Sequence, residues 1–449
     1  MKLTLAPPQP KGYFLLGNTL DFARNPLAFL SKCANDFDGI VSVQLPIGKP
    51  YLVTHPDFVE YVFVTGSRNF KKGTYYDGTK PLLGNGLVTS DGELWLKQRK
   101  LIQPVFHRAK IRTYSEVMVN FTENLLTQEW RDGQVRPIEQ DMMQLTMQIV
   151  ARLLFSMDFS GEEAKETGQA LGNALTEVTD WMNSPVKLPL SVPTPRNRRF
   201  RAAIQLVDQV IGEVITRGRN QDAAHDKGDL LSMLFAAHDQ DGQGMSDQQL
   251  RDEVVTLYAA GHETTAMTLT WAWYLLSQHP QVEKKLVAEL QNVLNGRSPG
   301  IDDLPHLSYT DMIIKETLRL YPSGWLVARQ AINDCQIGDY PIPAGTVVLV
   351  SAWATHRDPR FFEEPEEFKP ERWEAEAVKK LHKYAYYPFA AGPRQCIGNV
   401  FATTEAVLLL ATMAQQYRLE LLPGKPVTPV VRGTLHPSYP LQMKLSKRG

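Results

Sequence analysis

The ten residues Phe389-Ala390-Ala391-Gly392-Pro393-Arg394-Gln395-Cys396-Ile397-Gly398 constrain this chain more than any other stretch. An apolar run at helical spacing follows, through Val400, Phe401, Val407, Leu408, Leu410 and Ala411. The pattern predicts a tight loop that delivers Cys396 to the start of a helix. Backbone N–H groups and the helix dipole favour negative charge there. A cysteine so placed is held as thiolate, the form that binds metals or attacks electrophiles. The glycines let the backbone come close to something flat or bulky. A buried structural cysteine is the competing reading, but core cysteines do not need close backbone approach on both sides. A thiolate on a Gly-rich loop beside an arginine suits axial ligation of haem iron, with the arginine left for a propionate.

Length and charge narrow the setting. The 449 residues suffice for one large domain or two to three ordinary ones. No composition break marks a boundary, so one domain over 1–449 is expected, mostly helical with small sheets. A net charge of -1 gives no global pull toward nucleic acid or anionic membrane. Cys33, Cys335 and Cys396 are odd in number and lack a C-x-x-C spacing. That argues against a disulfide framework or zinc site and for a reducing compartment. The opening Met-Lys-Leu-Thr-Leu-Ala is too short for a signal peptide, and nowhere do apolar residues run long enough to span a membrane. The expectation is a soluble, cytoplasmic protein, with peripheral membrane contact left open.

Along the chain, Pro26–Phe37 reads as an amphipathic helix, and Ile40–Leu45 with Pro50–Thr54 as a hairpin. Phe70–Gly86 reads as a long loop. Asp91 is expected to cap a helix carrying Trp95 and Arg99 at i, i+4, and helical patterns continue to about Asp180. A proline-rich connection, Ser184–Pro195, and a loop at Asp239–Gly244 separate further helices. Ser246 opens a long helix, with Gln249 completing a capping box; it runs to Pro280, about 45–50 Å at roughly 1.5 Å per residue. Tyr309–Leu320 is a helix stopped by Pro322. Short strands are predicted at Val327–Ala331, Gln336–Tyr340 and Thr346–Val350, then coil over His356–Trp373, and a turn at Gly433–Pro440.

Ala260-Gly261-His262-Glu263-Thr264-Thr265 sits in the middle of the long helix, where Gly and β-branched residues are poor helix formers. The bland reading is a solvent-facing Glu. Two small residues one turn before an acid and an alcohol would instead make space over a flat cofactor, the acid relaying protons and the hydroxyl holding dioxygen. A zinc helix is excluded, because H-E-x-x-H needs a second His where Ala266 stands. Glu316 and Arg319, at i, i+3, read alone as a surface ion pair; Arg372 could add a second guanidinium and make a structural lock. Gly84-Asn85-Gly86 lacks the third glycine of a dinucleotide loop. Between Trp95 and Ser115 stand Lys97, Arg99, Lys100, Arg108, Lys110 and Arg112 without one acidic residue. This is either a solvated face or a docking patch for an acidic electron carrier.

Four signals in order make the chain resemble the cytochromes P450, the haem-thiolate monooxygenases, over essentially its whole length. They are Ala-Gly-His-Glu-Thr-Thr at 260–265, Glu316-x-x-Arg319, Pro370-Glu371-Arg372-Trp373, and Phe389-x-x-Gly-x-Arg-x-Cys-x-Gly398. The resemblance implies that family's mainly helical fold, with haem b under a long central helix. It implies Cys396 as the proximal ligand and Glu263 and Thr264 as the pair that delivers protons during dioxygen activation. Trp95, Arg99, Arg329 and Arg394 match propionate-holding positions. Phe389 matches the aromatic near the sulfur, and Ala260, Gly261 and Gly398 the close approach to the cofactor. Glu316, Arg319 and Arg372 match the structural lock. Ala390 stands where the family has Gly or Ser, so the turn is expected to avoid positive φ there. Trp373 replaces the usual Phe, with no evident consequence.

The implied activity is insertion of one oxygen atom from dioxygen into a C–H bond of a lipophilic molecule, a fatty acid or terpenoid. Electrons would come from outside, since no reductase domain is fused here. A ferredoxin or flavodoxin-type donor is expected at the Lys97–Arg112 patch. Substrate contacts are expected from Phe70–Leu87, Trp181–Leu190, Tyr258, Ala259, Trp325, Leu326 and Thr434–His436. Two alternatives stand beside this: a peroxide-driven peroxygenase, and a non-catalytic haem sensor or carrier.

Overall fold

The computed structural model describes residues 6–155, 172–174, 177–178, 181, 188–221, 230–236, 242 and 244–448. Most of the expected Trp181–Leu190 substrate segment lies outside them, as do most of the helical pattern between 156 and Asp180 and of the Asp239–Gly244 loop. Among the described residues the strands are β1 Ile40–Ser42, β2 Tyr51–Val53, β3 Phe70–Lys71, β4 Val135–Pro137, β5 Val327–Ala331, β6 Cys335–Ile337, β7 Tyr340–Ile342, β8 Val347–Val350, β9 Tyr417–Leu421, β10 Pro429–Arg432, β11 Thr434–Pro437 and β12 Gln442–Lys447. Two compact units are built from them, each from two stretches of chain.

The first unit comprises Met1–Tyr76 and Asp311–Asn399. Its sheet has the order β1-β2-β8-β5-β3. The predicted hairpin is β1–β2, with Ile40 opposite Val53 and Gly48 in the turn at φ +106°. β8 runs parallel to β2 and antiparallel to β5. Its Val-Val-Leu-Val sequence is the near-continuous apolar run that a strand covered on both faces needs. Ile40, Val53, Phe63, Phe70, Val348 and Val350 form the core. The single strand predicted over Gln336–Tyr340 is instead the tip of the β6–β7 hairpin, because Gly338 turns the chain at φ +57°. A two-residue turn at a glycine looks like strand continuation when only the flanking Ile337 and Tyr340 are weighed.

Glu316 and Arg319 lie on the helix Ser308–Leu320 and are both fully buried (0% exposed), so the surface-pair reading fails. Arg319 grips the Glu316 carboxylate with two N–H groups at 2.8 and 2.9 Å. Its remaining donors reach the carbonyls of His356, Pro365 and Glu367 at 2.9, 2.6 and 3.0 Å. Arg372 Nε donates to Glu316 at 3.1 Å, as expected for the lock. Trp373, expected to be without consequence, donates its Nε1–H to Glu316 Oε2 at 3.0 Å, which a Phe could not do.

The second unit comprises Asp77–Thr310 and Val400–Gly449. Its central helix is Asp247–Gln278, 32 residues and about 48 Å long. The Ser246–Gln249 capping box forms as predicted, at 3.3 and 3.0 Å. Asp91 occupies the N-cap position of the helix Gly92–Ile102, but its side chain makes no capping bond. The helix Ile138–Phe155 packs along the central helix, and Thr146 Oγ1 donates to the His262 carbonyl at 3.0 Å. Gly84-Asn85-Gly86 is explained by docking on the central helix. The N–H groups of Asn85 and Leu87 donate to Asp252 and Glu253 at 2.8 and 3.0 Å. A Cβ on Gly84 would lie 2.1 Å from the Asp252 carboxylate, and one on Gly86 2.1 Å from Thr256 Oγ1.

Phe70–Gly86 is not one long loop. It holds β3, tight helical turns over Gly73–Thr79 and a short helix, Lys80–Leu83. Nor is Gly433–Pro440 all turn: Gly433, at φ +88°, reverses the chain, and Thr434–Pro437 pairs with β10. Trp271 on the central helix donates its Nε1–H to the Leu435 carbonyl at 2.8 Å, which pins β11 to that helix. Among the described residues no helix is long and apolar enough to cross a membrane.

Candidate active site

In the first unit, the Cys396 loop is closed by its own backbone. Cys396 N–H donates to the Phe389 carbonyl at 2.9 Å, and Gln395 N–H to Gly392 at 3.0 Å. Gly392 turns at φ +68°, and a Cβ there would lie 1.8 Å from the Phe63 carbonyl oxygen, so only glycine fits. Ala390 has φ +55°, contrary to the expected avoidance of positive φ. Its N–H donates to the Tyr387 carbonyl at 2.9 Å, so the loop's closure imposes a conformation that alanine alone disfavours. Cys396 itself is exposed and in no disulfide, not a core cysteine. The loop leads directly into the helix Asn399–Gln416, as predicted. Phe389, Arg394 and Gly398 are half-buried. Arg329, on β5, is buried with its guanidinium 5.3 Å over the Phe63 ring.

In the second unit, the middle of the central helix is uneven. Ala260 is exposed although Asp252–Tyr258 and Thr265–Trp273 are buried. Gly261, expected to make room for the cofactor, also lies close to Val150: a Cβ there would come within 3.1 Å of Val150 Cγ2. Close packing of two helices therefore also favours a glycine here. Thr264 Oγ1 donates to the Ala260 carbonyl at 2.8 Å, the i−4 back-bond typical of threonine in a helix. Tyr258, expected to contact substrate, is buried with its ring against His262, 5.2 Å between centroids. Ala259 and Leu326 are half-buried, and Trp325 is buried. Trp95 and Arg99 are half-buried on the helix Gly92–Ile102.

Glu263 is tied into a network absent from the expectations. Its Oε1 accepts from Thr434 Oγ1 at 2.7 Å and lies 3.1 Å from His436 Nε2. His436 Nδ1 lies 2.8 Å from Glu139 Oε1. Thr434 and His436 thus meet the acid rather than being placed only against substrate. Burial pushes the Glu263 carboxyl up, but hydrogen bonds from His436 and Thr434 outweigh it, and the net shift is downward. Burial pulls His436 down, yet the two carboxylates carry it up to about 9. The strand period contained a signal: Thr434 and His436 are two apart on a strand, hence on one face. Nothing local announced Glu139, which lies 297 residues from His436.

A second buried acid also escaped the motifs. Glu405, on the helix after Cys396, is 0% exposed, and among the described residues neither carboxyl oxygen has a hydrogen-bond partner. Burial pushes it up to about 8, against a smaller pull from the neighbouring Thr265 hydroxyl. Burial therefore favours its neutral form.

Comparison with known proteins accords with these features. Residues 7–445 match the family model described as Cytochrome P450. Cyclooctat-9-en-7-ol 5-monooxygenase of Streptomyces melanosporofaciens is 39% identical over 91% of this chain and 88% of that protein. Cyclooctatin synthase of the same organism is 39% identical over 94% and 91%. Pentalenene oxygenase of Streptomyces avermitilis is 35% identical over 97% and 96%. The crystal structure of the cytochrome P450DA heme domain superposes with a TM-score of 0.90 at 28% identity, covering 100% of this chain and 99% of that one. The chain belongs to the cytochrome P450 family. It is a haem-thiolate monooxygenase acting on a lipophilic substrate with electrons from a redox partner.

Proposed function

We propose that this chain hydroxylates a terpenoid, holding haem b through Cys396 and drawing electrons from a ferredoxin or flavodoxin-type donor. The substrate class rests on one observation: relatives covering over nine-tenths of the chain bear the names of a cyclooctatenol monooxygenase and a pentalenene oxygenase. The residues fit a haem. Cys396 offers an exposed thiol on a loop that glycine and backbone bonds make rigid, and Ala260 is an exposed small residue amid a buried helix. Haem ligated by a thiolate supplies dioxygen activation. The chain's own residues then hold the group and manage protons. Cys396 Sγ is the ligand, and Arg329, Arg394, Arg99 and Trp95 are the donors for carboxylates on the cofactor. Glu263 Oε1, fed from β11, is the acid that carries a proton, and Thr264 is the hydroxyl that hands it on. None of the three cysteines is in a disulfide, which suits work in a reducing cytoplasm.

The electron donor is placed at the basic stretch Lys97–Arg112, where Lys100, Arg108 and Arg112 are exposed. Arg112 is already engaged by Asp302 through two bonds of 2.7 and 2.6 Å, so that end of the patch is partly neutralised.

The test is a reduced, CO-bound absorption spectrum of the wild type and Cys396→Ser. A red-shifted Soret band, lost in the variant, is expected; a band at the usual haem position in the wild type overturns the ligation. Titration with pentalenene and with lauric acid then tests substrate class. A spin-state change with the first and none with the second is expected, and the reverse pattern overturns the terpenoid assignment. Turnover on hydrogen peroxide alone, undiminished in Thr264→Ala, would overturn the dioxygen route in favour of a peroxygenase.

A further inference from the structure

Glu263 does not face solvent alone, nor does a surface lysine or arginine neutralise it. The imidazole of His436 stands between Glu263 and Glu139, with one ring nitrogen directed to each, at 3.1 and 2.8 Å. The three side chains come from three elements: the central helix, β11 and the first turn of the helix Ile138–Phe155. Each contact has an independent anchor. Trp271 fixes β11 to the central helix. Thr146 and Gly261 fix the two helices against each other. His436 is 12% exposed, Glu139 17% and Glu263 21%, so the trio is largely withdrawn from water yet reaches it. Among the described residues no His, Cys, Asp or Glu cluster is arranged to hold a metal ion, which leaves proton chemistry for this one.

We propose that His436 is a relay and positioning residue that orients Glu263 and hands it protons one at a time, with Glu139 as the outer anchor that keeps the imidazole charged. The proposal rests on the reading of Glu263 as the proton-carrying acid. One proton moves in the step. It rests on His436 Nε2, the stronger base of the pair, and crosses only transiently to Glu263 Oε1, the transfer being completed when Glu263 passes the proton on; during it the imidazolium becomes a neutral imidazole that keeps its Nδ1 proton on Glu139, and the carboxylate becomes a carboxylic acid. Once the acid turns away, a solvent proton restores Nε2–H. Thr434 Oγ1, 2.7 Å from the same Glu263 oxygen and 3.2 Å from Nε2, steadies both groups.

The charged and titratable surroundings are few. Glu139 and Glu263 raise the affinity of His436 for its proton. His262, beside Glu263 on the central helix, is itself lowered by burial. Across the hairpin His436 pairs with Val430, which is neutral, and Arg432 pairs with Thr434. The two carboxylates therefore dominate. With its affinity raised to about 9, His436 is charged through neutral pH and loses its proton as pH rises through that value.

The test follows His436 itself by NMR on the CO-bound ferrous holoprotein with ring-labelled histidine, the resonance being assigned by its disappearance in His436→Gln. A titration near pH 9 is expected in the wild type, moving down by about one unit or more in Glu139→Gln. In parallel, hydrogen peroxide released per NADPH is measured in substrate-free turnover with ferredoxin and its reductase. The peroxide share is expected to climb above pH 9 in the wild type, at lower pH in Glu139→Gln, and at all pH values in His436→Gln. An ordinary titration of His436, or a peroxide profile that Glu139→Gln leaves in place, overturns the relay. An unchanged peroxide share in Glu263→Gln instead overturns the role of Glu263, whatever the NMR titration gives.

Discussion

Gly392 and Phe63 are so close that the backbone of one excludes a side chain on the other. A Cβ at residue 392 would lie 1.8 Å from the Phe63 carbonyl oxygen, and the φ of +68° adds to the strain. The atom it would meet is backbone, which cannot swing aside as a flexible side chain would. Gly392→Ala should therefore prevent the Cys396 loop from closing. Haem-to-protein stoichiometry of the purified variant is expected to fall well below one, with little or no red-shifted CO band. Normal loading would show that the loop tolerates the displacement.

Two residues earlier the opposite change should help. Ala390 holds φ +55°, where an alanine is disfavoured by about 1 kcal/mol relative to glycine. Ala390→Gly is expected to leave the spectrum unchanged. Glycine also gains freedom in the unfolded chain, so the net effect on the urea midpoint should be small and not destabilising by more than about 1 kcal/mol. A larger loss would mean that the alanine methyl packs usefully.

The buried Glu316–Arg319 pair should respond far more strongly. Arg319→Lys removes the fork and leaves carbonyls of His356, Pro365 and Glu367 short of donors. A loss of about 3–5 kcal/mol is expected from breaking a buried ion pair of this kind. Trp373→Phe removes the 3.0 Å bond to Glu316 and part of a ring packed on Tyr386, and should cost about 1–3 kcal/mol. Urea denaturation checks both, and equal effects from the two would contradict the hierarchy of contacts.

Glu405 predicts a pH dependence with a definite sign. Its proton affinity is raised to about 8 in the fold, so the native state binds a proton that the unfolded chain releases above the ordinary carboxyl range. Stability from this group falls as pH rises from about 4.5 toward 8 and is flat above. Glu405→Gln, close in shape and always neutral, should remove that slope. Its Tm relative to wild type is expected to improve between pH 5 and pH 8; a constant difference would mean that Glu405 is ionised in the fold.

Charge reversal tests the proposed docking patch. Lys100→Glu and Arg108→Glu should slow reduction by ferredoxin, on the order of tenfold at low ionic strength, and flatten its salt dependence. Arg112→Gln should matter less, because Asp302 already engages that guanidinium. Stopped-flow reduction rates over a salt series decide it, and unchanged rates in the double reversal remove the patch from the docking surface.

The relation of sequence to site differs from residue to residue. Cys396, Glu263 and Thr264 stand out in the sequence because they fall in motifs of fixed residue types at fixed local spacings. The lock was readable in part: Glu316 and Arg319 announce themselves at i, i+3, but their complete burial depends on chain near Pro365 and Glu367. Gly261 carries two readings in the sequence, because a helix glycine looks alike whether it faces a cofactor or a neighbouring side chain, and the structure adds that a Cβ there would meet Val150. The contact of the Tyr258 ring with His262 had no separate signal, since an aromatic near such a stretch packs on a histidine as readily as on a ligand.

By itself the sequence determined the local pieces: the turn at Gly392, the capped central helix, the strands around Val348, and the family to which they belong. These follow from steric and hydrogen-bonding rules acting over a few residues. Only the tertiary structure decided which charges meet. Glu139, Glu263 and His436 come from distant parts of the chain, and their proton affinities arise from burial and from each other. Pair interactions of that kind depend on distances in space, which no local spacing encodes.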